Sequence, residues 1–290
     1  MPMTDTDKNL RLAMLIDADN APRDCLKGIM EEVAIYGTPN IKRAYGDWSS
    51  RNLSGWRQEL LDNSVTPIQQ FAYTKGKNST DSAMIIDAMD ILYSGNTDGF
   101  VLVSSDSDFT GLARRLREAG QFVIGIGEQK TPSPLIAACN KFIYIEVIRE
   151  RSAKAAGKTQ QSKRKKTEQT KKNEPAKKNE PAKKNETAKK QEPEAAVKAP
   201  AADDRPIPDS IIWLIADSIL DLAEVGDSDY VSLGAVGQLI QKKRPDFDTR
   251  SYGFSKLSGM VKAIDRFEVM EREDKSDPRS KIVYIRDLEM

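Results

Sequence analysis

Short apolar runs alternate with helix-like segments over the first half of the chain, and this alternation restricts the possible architectures more than any other feature. The strand-like runs are Arg11 to Ile16, Ile41 to Tyr45, Thr66 to Phe71, Gly99 to Ser104, Phe122 to Ile126 and Phe142 to Ile145. Between them lie helix-like stretches near Pro22 to Ile35, Asn52 to Asp62, Asp81 to Leu92, Phe109 to Glu118 and Pro134 to Cys139, with Gly37 and Gly120 as stops. Alternation of this kind predicts an α/β fold, a parallel sheet with helices on both faces.

In an open α/β sheet, ligands bind beyond the carboxyl ends of the strands, where the strand order reverses. If the order is the common 3-2-1-4-5, strands one and four are neighbours at that point. Asp17 and Asp19, which end the run LIDADN, would then face Asp106 and Asp108 of SSDSD. Asp81 opens the helix after strand three and can reach the same place, whereas Asp87, six residues on, lies too far round the helix to point inward equally well. Each acid alone has a structural alternative: Asp108 as a helix N-cap, Asp19 in a turn ahead of Pro22, Asp81 in a favourable helix dipole. The pairing of Asp17 with Asp106 at two strand ends is what favours a functional site.

Crowded carboxylates repel one another unless a cation neutralises them. The sequence contains no His, which removes Ser-His and Cys-His triads, histidine acid/base catalysis and nearly all catalytic zinc sites. Its two cysteines, Cys25 and Cys139, match no metal-ligand or redox spacing and are expected to be reduced. A hard cation is left, Mg²⁺ or Mn²⁺, and such a site suits phosphodiester hydrolysis.

From Arg151 to Arg205 aromatic residues vanish and a six-residue repeat, KKNEPA, KKNEPA, KKNETA, KKQEPE, runs from Lys171 to Glu194. It holds too little apolar surface to offset ordering entropy, and its prolines break helices, so it is read as a disordered linker between a domain at 1–150 and one at 206–290. The segment 151–205 has 17 basic and 8 acidic residues, a net of +9, so the remainder carries about −8 within the total of +1. Treated as a flexible coil it spans roughly 40 Å, enough for the domains to act on one extended ligand without sharing an interface. A plain solubilising spacer is the alternative.

After the linker, helical periodicity in Ile211, Ile212, Ile215, Ile219 and Leu222 is followed by helix-like stretches Leu233 to Ile240 and Phe254 to Ile264. Two strand-like runs, Phe267 to Glu271 and Lys281 to Ile285, flank a turn-rich segment. Three helices and a hairpin predict a winged helix.

Taken together, Leu15-Ile16-Asp17-Ala18-Asp19-Asn20, Lys77 with Asp81 through Asp87, and Ser104-Ser105-Asp106-Ser107-Asp108-Phe109 resemble an NYN domain, the branch of the PIN-like ribonuclease superfamily that includes LabA-like bacterial proteins. The resemblance spans about residues 10–147. It implies a PIN-like sheet and a Mg²⁺- or Mn²⁺-dependent endoribonuclease site, with Asp17 as first-strand acid, Asn20 as its supporting amide, Asp81 as helix acid, and Asp106 and Asp108 as the fourth-strand pair. Many relatives have glycine where Ser105 stands. The segments Ser251 to Leu257 and Asp265 to Val269 are similar to an OST-HTH or LOTUS domain over about 206–289, which implies a winged helix that binds RNA or docks a protein partner.

Phosphate contacts are expected from Arg43, Lys75, Lys77 and Lys130 near the acids, and RNA contacts from Arg250, Tyr252, Lys256 and Lys262 in the tail. Phe254 and Leu257 are assigned to the core. Two other readings stay open: an RNA-binding adaptor that does not cut, and a haloacid-dehalogenase-like phosphatase with Asp17 as nucleophile and Asp19 as general acid. The phosphatase pattern expects Thr or Val where Ala21 stands. No apolar run is long enough to span a membrane, and the start, MPMTDTDKNLR, lacks signal-peptide character, so a cytoplasmic location is expected.

Overall fold

The computed structural model describes residues 9–71, 79–153, 206–225, 230–273 and 281–289. The linker reading for 154–205 and the contacts expected from Lys75 and Lys77 fall outside the described residues. Among the described residues, no helix is long and apolar enough to cross a membrane.

The first unit alternates as its sequence predicts. Strand β1 (Leu10–Asp17) is followed by α1 (Leu26–Val33), β2 (Gly37–Gly46), α2 (Trp56–Asp62), β3 (Thr66–Gln69), α3 (Ser79–Ser94), β4 (Gly99–Val103), α4 (Thr110–Glu118), β5 (Phe122–Gly127), α5 (Ser133–Ala138) and β6 (Lys141–Tyr144). Helix α6 covers 145–153. The strands form one parallel sheet in the order β3-β2-β1-β4-β5-β6, so β1 and β4 sit side by side at the reversal.

Side chains of β1 point alternately into two cores. Leu12, Met14 and Ile16 pack with Leu26, Ile29, Trp56 and Ile148 of α1, α2 and α6; Ala13 and Leu15 pack with Met84, Leu112, Leu116 and Leu135 of α3, α4 and α5. Burial on both faces explains why the strand reads as a continuous apolar run. Each large side chain removed from water there contributes roughly 1.5–3 kcal/mol.

The second unit holds α7 (Asp209–Val225), β7 (Val231–Ser232), α8 (Leu233–Lys243), α9 (Leu257–Lys262), β8 (Phe267–Glu273) and β9 (Lys281–Asp287). The three strands form an antiparallel sheet, β7-β9-β8, and the core gathers Ile211, Ile215, Ile219, Val236, Ile240, Met260, Val261 and Ile285. Phe254 and Leu257 pack against that core, as assigned. The unit is a winged helix.

Two differences from the sequence reading concern the join. Residues 151–153 continue helix α6 instead of opening the linker, and Arg151 there pairs with the buried Glu32 at 2.9 Å. The two units also share an interface, contrary to the expectation that a long tether lets them act apart. The Phe142 N–H of edge strand β6 donates to the Pro245 carbonyl at 3.0 Å. Lys141 Nζ donates to Gln241 Oε1 at 2.7 Å and to the Phe247 carbonyl at 3.0 Å, and the Tyr144 hydroxyl donates to Asp246 at 2.8 Å. Arg250 donates to both oxygens of Glu32 at 2.8 and 2.7 Å. An edge strand carries unpaired backbone groups that must be covered or blunted, and the second unit covers this one.

Candidate metal centre

The site is assembled where β1 and β4 end. A carboxylate oxygen from each of Asp81, Asp106 and Asp108 lies within 4.8 Å of the others, the geometry of a group that can hold a cation. Asp81 sits in the first turn of α3, while Asp106 and Asp108 follow β4. Asp106 Oδ1 accepts the Asp108 N–H at 2.9 Å and so caps the 3-10 turn Ser107–Phe109. The capping acid is therefore Asp106, two residues before Asp108, the N-cap weighed from the sequence, because the chain tightens into a 3-10 turn before α4 begins.

Asp17 stands behind this triangle and is not one of its three members. It is 1% exposed, because β1 runs one residue deeper into the sheet than its apolar run implies. Its Oδ2 accepts from Asn20 Nδ2 and from Ser104 Oγ, both at 2.8 Å. Ser104 Oγ in turn accepts the Asp106 N–H at 3.0 Å, so one hydroxyl ties the ends of β1 and β4 together. Sequence reasoning gave Ser104 no role; its signal was a lone polar residue closing an otherwise apolar strand. Gly127 ends the neighbouring strand β5, and a Cβ there would lie 2.8 Å from the Ser104 carbonyl, so only glycine lets β5 close against the site.

Electrostatics fit a cation. Asp81 is pushed up to about 6, first by burial and then by the charges of Asp17, Asp106, Asp108 and Asp19. Asp17 is also raised, chiefly by burial, against the opposing hydrogen bonds from Asn20 and Ser104. The other Asp17 oxygen, Oδ1, is buried without a hydrogen-bond partner. An orphaned carboxylate oxygen beside three converging acids is costly unless positive charge is near. The donor set is all oxygen, which suits Mg²⁺ or Mn²⁺.

The remaining residues expected to bind nucleic acid are scattered. Arg43 pairs with Asp87, which also accepts from the Tyr45 hydroxyl, so Asp87 ties α3 to β2 and Arg43 is already engaged. Lys130 pairs with Glu128 at 2.6 Å, and Lys262 with Glu271 at 3.0 Å. Arg250 is committed to Glu32 and Asp248 in the interface, and Tyr252 stacks on Phe247 with ring centroids 6.3 Å apart. Arg250 thus serves docking, whereas Tyr252 packs against the core of its own unit. Lys256 is exposed at the start of α9.

Two family models match: the NYN domain over residues 11–146 and the OST-HTH/LOTUS domain over residues 210–278. The chain carries an NYN domain followed by an OST-HTH/LOTUS domain. The NYN match places the first unit in the PIN-like nuclease superfamily, in agreement with its six-stranded parallel sheet. The OST-HTH/LOTUS match agrees with the winged helix and with RNA binding as the family's general property.

Among solved structures, the chain is similar to a crystal structure of a protein of unknown function from Vibrio parahaemolyticus. Identity is 19%, the TM-score 0.41, and the match covers 48% of this chain and 94% of that one. It is also similar to a solution structure of an uncharacterized protein from Nitrosomonas europaea, at 30% identity and a TM-score of 0.25, covering 35% of this chain and 90% of that one. A third similarity is to residues 175–257 of a protein from Chromobacterium violaceum, at 30% identity and a TM-score of 0.23, covering 30% of this chain and 87% of that one. No curated protein matches the chain.

Proposed function

We propose that the protein is a divalent-metal-dependent endoribonuclease whose NYN domain cuts RNA phosphodiesters at the acid cluster, with the OST-HTH/LOTUS domain contributing to RNA binding. The observation that carries this reading is the convergence of Asp81, Asp106 and Asp108 around the carboxyl ends of β1 and β4, backed by the partnerless Asp17 Oδ1. Asp81, Asp106 and Asp108 would hold the ion, with Asp17 behind them. Bound there, Mg²⁺ or Mn²⁺ supplies charge to polarise a phosphoryl oxygen and to acidify a water. Asn20 and Ser104 orient Asp17, and the turn capped by Asp106 holds Asp108 beside it.

The phosphatase alternative needs Asp17 as an accessible nucleophile. At 1% exposure, with one oxygen held by two donors, it is poorly placed for in-line attack. The deciding experiment compares wild type with Asp106→Asn on single- and double-stranded RNA, with and without Mg²⁺ or Mn²⁺. Cleavage that needs the ion and is lost in the variant is expected. RNA binding without cleavage by either protein would favour the adaptor, and turnover of small phosphoesters alone would favour the phosphatase.

A further inference from the structure

Helix α4 begins at Thr110, two residues after Asp108, and runs away from the acids toward the amino ends of β5 and β6. Its inner face buries Leu112, Ala113 and Leu116, and its outer face exposes Arg114, Arg115 and Arg117. At about 1.5 Å per residue, Arg117 lies about 10 Å along the axis from Thr110. Arg115 reaches the hydroxyl of Tyr93 on α3 at 3.3 Å, and that ring is 73% exposed. Arg117 then opens onto a cleft of about 770 Å³ between the two domains, whose far wall is α8 with Lys242 and Lys243.

The positive groups of the OST-HTH/LOTUS domain are mostly spent. Arg244, Arg250, Arg266, Arg286 and Lys262 have carboxylate partners, and Lys243 is held by Asp217 at 2.7 Å and Asp221 at 2.5 Å. Among the described residues, Arg114, Arg115, Arg117 and Lys242 are in no such ion pair. Glu118 is the exposed acid at the end of α4. Arginines outside any ion pair, an exposed aromatic on the α3 side at Arg115, and a cleft at Arg117, which reaches the Ala137 carbonyl of α5 at 3.0 Å, are the elements of a groove for a single strand of nucleic acid. An ion-paired arginine has no net charge left to exchange for phosphate counterions, whereas an unpaired one does.

We propose that the outer face of α4 and Lys242 across the interdomain cleft form a second RNA subsite, which holds the phosphate backbone of a single strand leaving the acid cluster. This rests on the reading of the acid cluster as an RNA site. Docking of the two domains would place Lys242 at the end of the row started by Arg114, so the subsite belongs to the joined molecule and not to either domain.

The test is RNA binding by the full chain, followed by fluorescence anisotropy with divalent ions chelated so that no strand is cut. Arg117→Glu with Lys242→Glu should bind a single strand of about 16 nucleotides roughly tenfold more weakly than wild type, yet bind one of about 4 nucleotides as wild type does. The slope of log affinity against log salt should become shallower by about 1.4 for the two lost contacts. Lys242→Glu alone, at an exposed side chain, should show the same length dependence with a smaller loss. Arg57→Glu, on α2 at the opposite side of the sheet, is the control. Unchanged binding of the long strand by the double variant, or an equal loss in the control, overturns the subsite while leaving the nuclease reading intact. Absence of RNA binding by wild type under any ionic condition overturns both.

Discussion

A carboxylate with 1% exposure must be protonated, hydrogen-bonded or matched by a cation, and Asp17 has donors on only one of its oxygens. Ser104 is the more informative position to change, because its hydroxyl serves Asp17 and the Asp106 backbone at once. Ser104→Ala should cost about 1–3 kcal/mol in denaturant unfolding and weaken Mn²⁺ binding by calorimetry, since two buried partners are left unmet. Asp81 supplies a pH signature. In metal-free protein its carboxyl should titrate near 6 by NMR, and Asp106→Asn should lower that value by removing one of the charges that raise it. The sign follows from the proton count: the folded form keeps its proton to a higher pH than the unfolded form, whose value is 3.8. Metal-free stability therefore falls as pH rises from about 4 to about 6, and metal binding in that window should release protons. The acids themselves were legible from Asp17 and Asp106 at strand ends; which oxygens meet was not, because that depends on side-chain burial.

At the scale of elements, the apolar runs located every strand of the sheet, and the errors lie at ends. Strand β3 stops at Gln69 and not at Phe71, whose side chain is 61% exposed and gains nothing by pairing. Ile145 starts α6 instead of ending β6, because its apolar side chain is buried in either role and periodicity over so short a run does not distinguish them. The close approach of β5 to β4 is an element-scale requirement. Gly127→Ala should force the strand ends apart, since its Cβ would also lie 2.7 Å from Thr131 Oγ1, and should cost about 1–3 kcal/mol while lowering metal affinity. Full stability with normal Mn²⁺ affinity in that variant would show that the strand end is free to move.

For the whole molecule, docking rests on a few buried polar contacts. Arg250 is pushed well above its ordinary value by its hydrogen bonds to Glu32 and Asp248, and burial pushes Lys141 down. Arg250→Ala leaves Glu32, 3% exposed, with Arg151 alone. Small-angle scattering should then show a larger radius of gyration, and hydrogen exchange at the Phe142 amide should accelerate as β6 loses its cover. An unchanged radius would show that the backbone contact at Pro245 and the Lys141 and Tyr144 contacts suffice. The sequence by itself determined the alternating sheet, the winged helix and the acidic character of the site, because these follow from local periodicity and from the rule that places ligands at strand carboxyl ends; the strand order that brings β1 beside β4 was a premise of that reading, and the structure supplies it. Only the tertiary structure decided that Asp17 sits behind the metal-sized triangle, that Arg43 and Arg250 are spent on Asp87 and Glu32, and that the two domains are joined along β6. The physical reason is that a charged side chain takes whichever partner the fold brings within reach, and residues 218 positions apart in sequence, such as Glu32 and Arg250, have no local pattern that announces their meeting.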